Sequence, residues 1–291
     1  MAWLLMFAFV LAACAQATPL PIPTALPTAS ASHAPTETLT PTPAITLTPE
    51  PTATATVTKT PTPHPAQTFA EPFLTFIVGR FPTFQDDFSQ TGQGWRKWSN
   101  LRLSGNCERG EVGYEQGEYV LRAEPGACNR VFGNNQLFAD PTPVVMSNYV
   151  AEIELRWVRG DGIVNWMLCD AWNVEVGAFD CLDLHLQSQD GWLDLYAEKI
   201  YFRNKPGQPQ PVVELGAAAS GVDFSQPVIL TVIKHGLELG VFVGQRPMLY
   251  RKLSAERNLR LNYVELRLAN NSTPKPAEVH WDNLKVWVLN P

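Results

Sequence analysis

From Phe69 to Pro291 the chain reads as short runs in which apolar and polar residues take turns. In "NYVAEIELRWV", Tyr149, Ala151, Ile153, Leu155 and Trp157 fall on one side of an extended strand, and Val150, Glu152, Glu154 and Arg156 on the other. "CLDLHLQ" sets Leu182, Leu184 and Leu186 inward and Asp183, His185 and Gln187 outward, and "YVELRL" repeats the pattern. A period of two marks a strand with one face on a core. "PVILTVIK" is apolar on both faces, as a covered central strand requires. Gly160-Asp161-Gly162, Asp190-Gly191 and His235-Gly236 supply the turns between runs. No long stretch shows the 3.6-residue helical period. About a dozen short strands in about 220 residues therefore predict an all-β, two-sheet antiparallel sandwich in one domain.

Upstream the pattern changes twice. Residues Trp3 to Ala13 are apolar without a break. That is too short to span a bilayer, which takes about 20 residues, and fits the apolar region of a signal peptide. Residues Thr18 to Thr68 then hold twelve Pro and sixteen Thr, with few apolar groups to offset the entropy of ordering. Such a segment favours extended polyproline-like conformations of up to about 3.1 Å per residue, enough to hold a domain on the order of 100 Å from its anchor. The expected organisation is a signal peptide at 1–13, a disordered Pro/Thr-rich tether at 14–68 and a β-sandwich at 69–291.

Composition narrows the function. Net charge is −6 over 291 residues, which argues against the clustered Lys and Arg of a nucleic-acid footprint. Apolar residues reach 45 %, sufficient for a sizeable core, and nine Trp can fill that core or stack on ligands. Beyond Cys14 lie Cys107, Cys128, Cys169 and Cys181, an even count that suggests two disulfides in an exported protein. Three pairings are possible, and sequence proximity favours Cys107–Cys128 and Cys169–Cys181. If Cys169 faces Cys181 across a hairpin, Met167 faces Asp183 and Asn165 faces His185. Trp166 and Leu168 then share a side with Leu182 and Leu184, so the register is self-consistent. A zinc site is the rival reading, weakened by the lack of any Cys-x-x-Cys spacing.

Continuing that face through a two-residue turn at Asp190-Gly191 places Gln187 opposite Asp194, His185 opposite Tyr196 and Asp183 opposite Glu198. The resulting outward patch is Asn165, Asp183, His185, Gln187, Asp194, Tyr196 and Glu198, with Trp192 at its edge. Planar hydrogen-bonding groups beside aromatic rings suit a sugar, whose hydroxyls and C–H faces need both. A solvated outer sheet face would also read polar. Asp183 opposite Glu198 is a like-charge pair, and two carboxyls about 5–5.5 Å apart would serve a retaining glycosidase. No Gly-x-Ser-x-Gly elbow, His-Glu-x-x-His motif or phosphate loop is present, which weighs against an enzyme.

Two resemblances follow from short motifs. Leu11-Ala12-Ala13-Cys14 resembles the lipobox of bacterial lipoproteins. It implies acylation of Cys14, a membrane anchor through that lipid and an extracytoplasmic, cell-surface location. No Lys or Arg precedes Cys14, and plain secretion with cleavage after Ala17 is the alternative. "FQDDFSQTGQGWRKW", "GEYVLRA", "MLCDAW", "LDLHLQSQDGWLDLY" and "VHWDNLKVWV" together resemble the concanavalin A-like jelly-roll superfamily, near its laminin-G-like and keto-disaccharide-hydrolase-like members. The resemblance implies a jelly roll, one sheet face of which binds glycans in lectins and glycanases. The Glu-x-Asp-x-Glu strand signature of superfamily glycanases is missing; Glu152 and Glu154 alternate without a third acid. The fold also implies pairing of the first and last strands, which would bring Asp86 and Asp87 to Asp282 and Asn283 as a possible calcium site, or as turn and strand-end caps. The expectation is a monomeric surface lipoprotein that binds a polysaccharide or cell-surface glycan and needs no other cofactor. A glycosidase-like enzyme, or an adhesion module without a small ligand, are the alternatives.

Overall fold

The computed structural model describes residues 62–92, 94–95, 97–99, 109–126, 130–137, 145–173, 178–187, 192–201, 212–254, 259–270 and 274–289, with 98–99, 130, 171–173, 178–179, 192–201 and 212 described by backbone alone. All belong to one compact unit, Lys59–Pro291. Cys14, Cys107, Cys128 and the Asp190-Gly191 turn lie outside the described residues.

Among the described residues fifteen strands follow one helix: α1 (Pro65–Ile77), β1 (Phe84–Asp86), β2 (Trp98–Ser99), β3 (Gly110–Glu115), β4 (Glu118–Ala123), β5 (Arg130–Gln136), β6 (Tyr149–Arg159), β7 (Gly162–Asn173), β8 (Ala178–Gln187), β9 (Trp192–Tyr201), β10 (Val212–Ala219), β11 (Val228–His235), β12 (Glu238–Val243), β13 (Arg246–Lys252), β14 (Tyr263–Asn270) and β15 (Ala277–Val288). The first sheet runs β13-β12-β11-β6-β15-β4-β3-β2, with β1 also on β15, and the second runs β10-β9-β8-β7-β14-β5. Every pairing is antiparallel, and the two sheets form a jelly-roll sandwich. The first and last strands do pair, Phe84 against Val286 and Asp86 against Leu284.

The alternating residues fill the space between the sheets. Tyr149, Ala151, Ile153 and Leu155 meet Leu182, Leu184, Val264 and Leu266 in one continuous core. Trp166 and Trp281 are fully buried in it, so at least these indoles serve packing rather than recognition. Lys234 also lies inside at the end of β11, fully buried, and its ammonium donates to Ser147 O (2.6 Å) and Gly236 O (3.1 Å). Burial pushes its pKa down to about 8.

The reading of β structure throughout is corrected at Pro65–Ile77, which is an α-helix. Pro65 occupies its first turn, where no N–H is needed, and His64 caps it by accepting from Ala66 N at 3.1 Å. Ala66, Phe69, Ala70, Phe73, Leu74 and Ile77 follow the helical spacing, a signal that the interior Pro72 obscures. The two alanines let the helix settle on the outside of the first sheet, against Val150, Ile233, Phe242 and Trp287. Next to the helix a groove of about 610 Å³ opens over the same sheet, lined by Leu74, Val228, Ile229, Phe242 and Glu152.

Elsewhere the outer side of the first sheet carries an ion-pair lattice. Glu278, 5 % exposed, takes Arg122 at 3.0 Å, Arg159 at 2.7 Å and His280 at 2.8 Å. His280 also reaches Glu118 at 2.6 Å, which Arg156 meets at 2.6 Å, while Arg122 forks onto Glu115. Burial pushes the Glu278 carboxyl up, but the Arg122 and His280 hydrogen bonds outweigh it and hold the pKa at about 2.

Candidate functional site

Because Val164, Trp166 and Leu168, Leu182, Leu184 and Leu186, and Val264, Leu266 and Leu268 all face the core, their neighbours in sequence face away from it. The outward side of the second sheet is thereby fixed strand by strand. One row holds Arg267, Asn165, His185 and Asp194; the next holds Glu265, Met167, Asp183 and Tyr196; a third holds Tyr263, Cys169, Cys181 and Glu198. Cys169 and Cys181 form a disulfide, as the hairpin register requires.

On β7, β8 and β14 the middle of this face is not solvated. Asp183 is 1 % exposed, Glu265 2 % and Asn165 8 %, although all three point away from the core. Asn165 Nδ2 donates to both carboxylate oxygens of Asp183, at 3.0 and 3.1 Å, and His185 Nε2 lies 2.8 Å from Asp183 Oδ2. Glu265 is gripped by Arg267 and accepts from Tyr263 OH at 3.4 Å. Met167 and the disulfide, with Tyr263 against them, form a small apolar floor beside these groups. Burial of a polar group costs stability unless it is paired, so the polar residues lock one another in place. The result is a rigid surface of fixed acceptors with apolar and aromatic positions alongside.

Asn165, Asp183 and His185 are brought together as expected, and Gln187 lies on the same face opposite Ile163. The β8–β9 register is corrected by two residues. His185 faces Asp194, Asp183 faces Tyr196 and Cys181 faces Glu198. Leu182, Leu184 and Leu186 thereby oppose Ala197, Leu195 and Leu193. A two-residue turn would have set Lys199 against the core-facing Leu182 and left Leu193 past the end of the strand. An even shift preserves the faces, so Trp192, Asp194, Tyr196 and Glu198 stay on the outward side. The like-charge pair of Asp183 with Glu198 does not form, and the spacing argument for a retaining glycosidase loses its basis. Glu265 and Arg267 were missed, though the alternation in "YVELRL" assigns both to this face.

The second constellation resolves into caps. Asp86 Oδ1 accepts from Phe88 N at 2.8 Å and Oδ2 from Trp95 Nε1 at 2.9 Å, and burial raises its pKa despite both bonds. Asp87 accepts from Ser89 N and Oγ, which lowers its pKa. Asp282 accepts from Asn283 N at 2.7 Å, and burial raises its pKa, with Glu154, Glu118 and Asp87 adding to the effect. Asn283 takes φ 52° at the break in β15 and reaches Glu154 instead. Among the described residues no group of three or more His, Cys, Asp or Glu side chains is placed to hold a metal.

No family model matches the chain, and no curated protein matches it. Solved structures do. LamAcat from Zobellia galactanivorans superposes with a TM-score of 0.50 over 72 % of this chain and 98 % of its own, at 12 % identity. A β-glucanase from Bacillus licheniformis gives 0.49 over 72 % and 99 %, at 14 % identity. The carbohydrate-binding module CBM66 from Bacillus subtilis gives 0.43 over 67 % and 96 %, at 9 % identity. The likeness is one of fold alone, a two-sheet antiparallel jelly-roll sandwich.

Proposed function

We propose that the chain is a surface-anchored lipoprotein whose jelly-roll domain binds a glycan on the outward face of its second sheet without cleaving it. The observation that carries this is the buried Asn165–Asp183–His185 network beside Glu265 and Arg267 on a face turned away from the core. Fixed acceptors next to the aromatic positions Tyr196, Tyr263 and Trp192 match the hydroxyls and C–H surfaces of a sugar. Cleavage is disfavoured because the two buried carboxylates of this face are engaged: Asp183 by Asn165 and His185, and Glu265 by Arg267. A general acid needs a carboxyl free to carry and release a proton. Anchoring rests on Leu11-Ala12-Ala13-Cys14, and presentation on the Pro/Thr-rich run that follows.

A glycan array probed with the full chain tests the reading, with calorimetry on the glycan it returns. Tyr196→Ala removes a ring from the centre of the face and should cost about 1–3 kcal/mol of binding. A protein that binds no glycan overturns the function. A Tyr196→Ala variant that folds and binds as well as wild type removes this face. Release of shortened oligosaccharides from the bound glycan would restore the enzyme reading.

A further inference from the structure

The groove beside α1 belongs to the first sheet, and the glycan face does not use it. Leu74 of the helix forms one wall and the turn at Gly244 borders it, while Val228, Ile229 and Phe242 supply apolar lining from the strands. Its volume of about 610 Å³ falls inside the range of roughly 300–1,000 Å³ typical of clefts that take small molecules. Ile229 is 47 % exposed, and among the described residues no strand carries a more exposed large apolar side chain. The helix covers Val150, Ile233 and Trp287 on the same sheet and leaves this strip open. Apolar surface in a concave setting gains when a ligand removes it from water.

One charged side chain stands in this lining. Glu152 projects outward from β6, with Thr231 of β11 and Lys285 of β15 as its register partners. Thr231 Oγ1 donates to it at 3.3 Å, a long bond for a hydroxyl. Lys285 acts on it electrostatically from outside the groove lining. Elsewhere on this face Glu278 and Glu118 are matched by Arg122, Arg159 and Arg156 at 2.6–3.0 Å, and Glu152 takes part in none of those pairs. Burial pushes its carboxyl pKa up, as expected where the charge is incompletely compensated. A half-buried carboxylate in an apolar lining complements a ligand that brings an apolar body and a positive head together. An ammonium offers it three N–H donors as well as the charge. A neutral apolar molecule would gain the lining alone, and a carboxylate would meet repulsion from Glu152.

The geometry points to a second binding site, for a small apolar amine whose alkyl or aryl body lies against Leu74, Ile229 and Phe242 and whose ammonium meets Glu152. The glycan face is on the other sheet, so either site stands without the other. Calorimetry on the full chain at pH 7 would compare octylamine, octanol and octanoate, with folding of each variant checked by circular dichroism. Octylammonium should bind about tenfold more tightly than octanol, and octanoate more weakly than either. Glu152→Gln keeps the shape and removes the charge, so octylammonium should fall to within about twofold of octanol while octanol binds as before. Ile229→Ser, at a half-open position, should weaken octylammonium and octanol alike by about threefold or more. Equal binding of octylammonium and octanol to wild type, or an amine preference that survives Glu152→Gln, overturns the pairing with Glu152. An Ile229→Ser variant that binds both as wild type does overturns the groove as the site. Octylammonium that does not bind wild type overturns the proposal outright. Should Glu152→Gln fail to fold, the wild-type comparison and Ile229→Ser still decide it.

Discussion

Glu278→Gln is expected to remove a part of the domain's stability that acid also removes. The carboxylate sits on β15 between Arg122 of β4 and Arg159 of β6, its register partners on either side, with His280 two residues along. Its pKa falls from 4.5 in the unfolded chain to about 2. A folded-state pKa depressed below the unfolded value means that the unfolded chain takes up the proton first. The stability is therefore fully present above about pH 4.5 and is lost as the pH falls through about 2. The whole shift corresponds to about 3 kcal/mol. The Arg159 side chain is 54 % exposed, so solvent screening brings the expected contribution to about 1–2 kcal/mol. The amide keeps the shape and loses the charge. Urea unfolding followed by tryptophan fluorescence should therefore show wild type ahead by about 1–2 kcal/mol at neutral pH, with the gap closing toward the acid end. A gap that stays constant with pH, or no gap at neutral pH, would refute the reasoning.

Three further outcomes follow from other parts of the molecule. Lys234 has a pKa lowered by burial from 10.5 to about 8, so the folded state sheds its proton first, and stability should rise between those values in wild type and stay flat in Lys234→Met by the same urea assay. Replacing both Cys169 and Cys181 by Ala opens a loop with a sequence separation of 12 and should cost about 3 kcal/mol in the chain-entropy account, measured by the same urea assay without reductant. Cys14→Ala should move the protein from the detergent-soluble membrane fraction into the medium, and identical partitioning of the two would end the lipoprotein reading.

Much of the second sheet was legible because a covered face enforces strict alternation. Leu182, Leu184 and Leu186 could not be moved by one position without turning three leucines to the outside. The disulfide then fixed β7 on β8. The β8–β9 register was not legible from Asp190-Gly191, since that dipeptide suits turns in loops of more than one length, and the pairing of leucine with leucine across the strands decides between them. Helix α1 was hidden by composition: Pro65 and Pro72 make its sequence look like a continuation of the tether, while Ala66 and Ala70 carry the contact that holds it. Glu265 and Arg267 escaped notice because a polar residue on an alternating strand reads the same whether solvated or buried. Only the packing of neighbouring strands shows that Glu265 is 2 % exposed.

The central claim is that the ligand lies on the outward face of the second sheet. Amide hydrogen exchange of the full chain, with and without the glycan selected by the array, tests it directly. Added protection on β7, β8, β9 and β14, around Asn165, Asp183, Tyr196 and Glu265, is the result the account predicts. Protection confined to α1, β11 and β12, which border the groove over the first sheet, would contradict it.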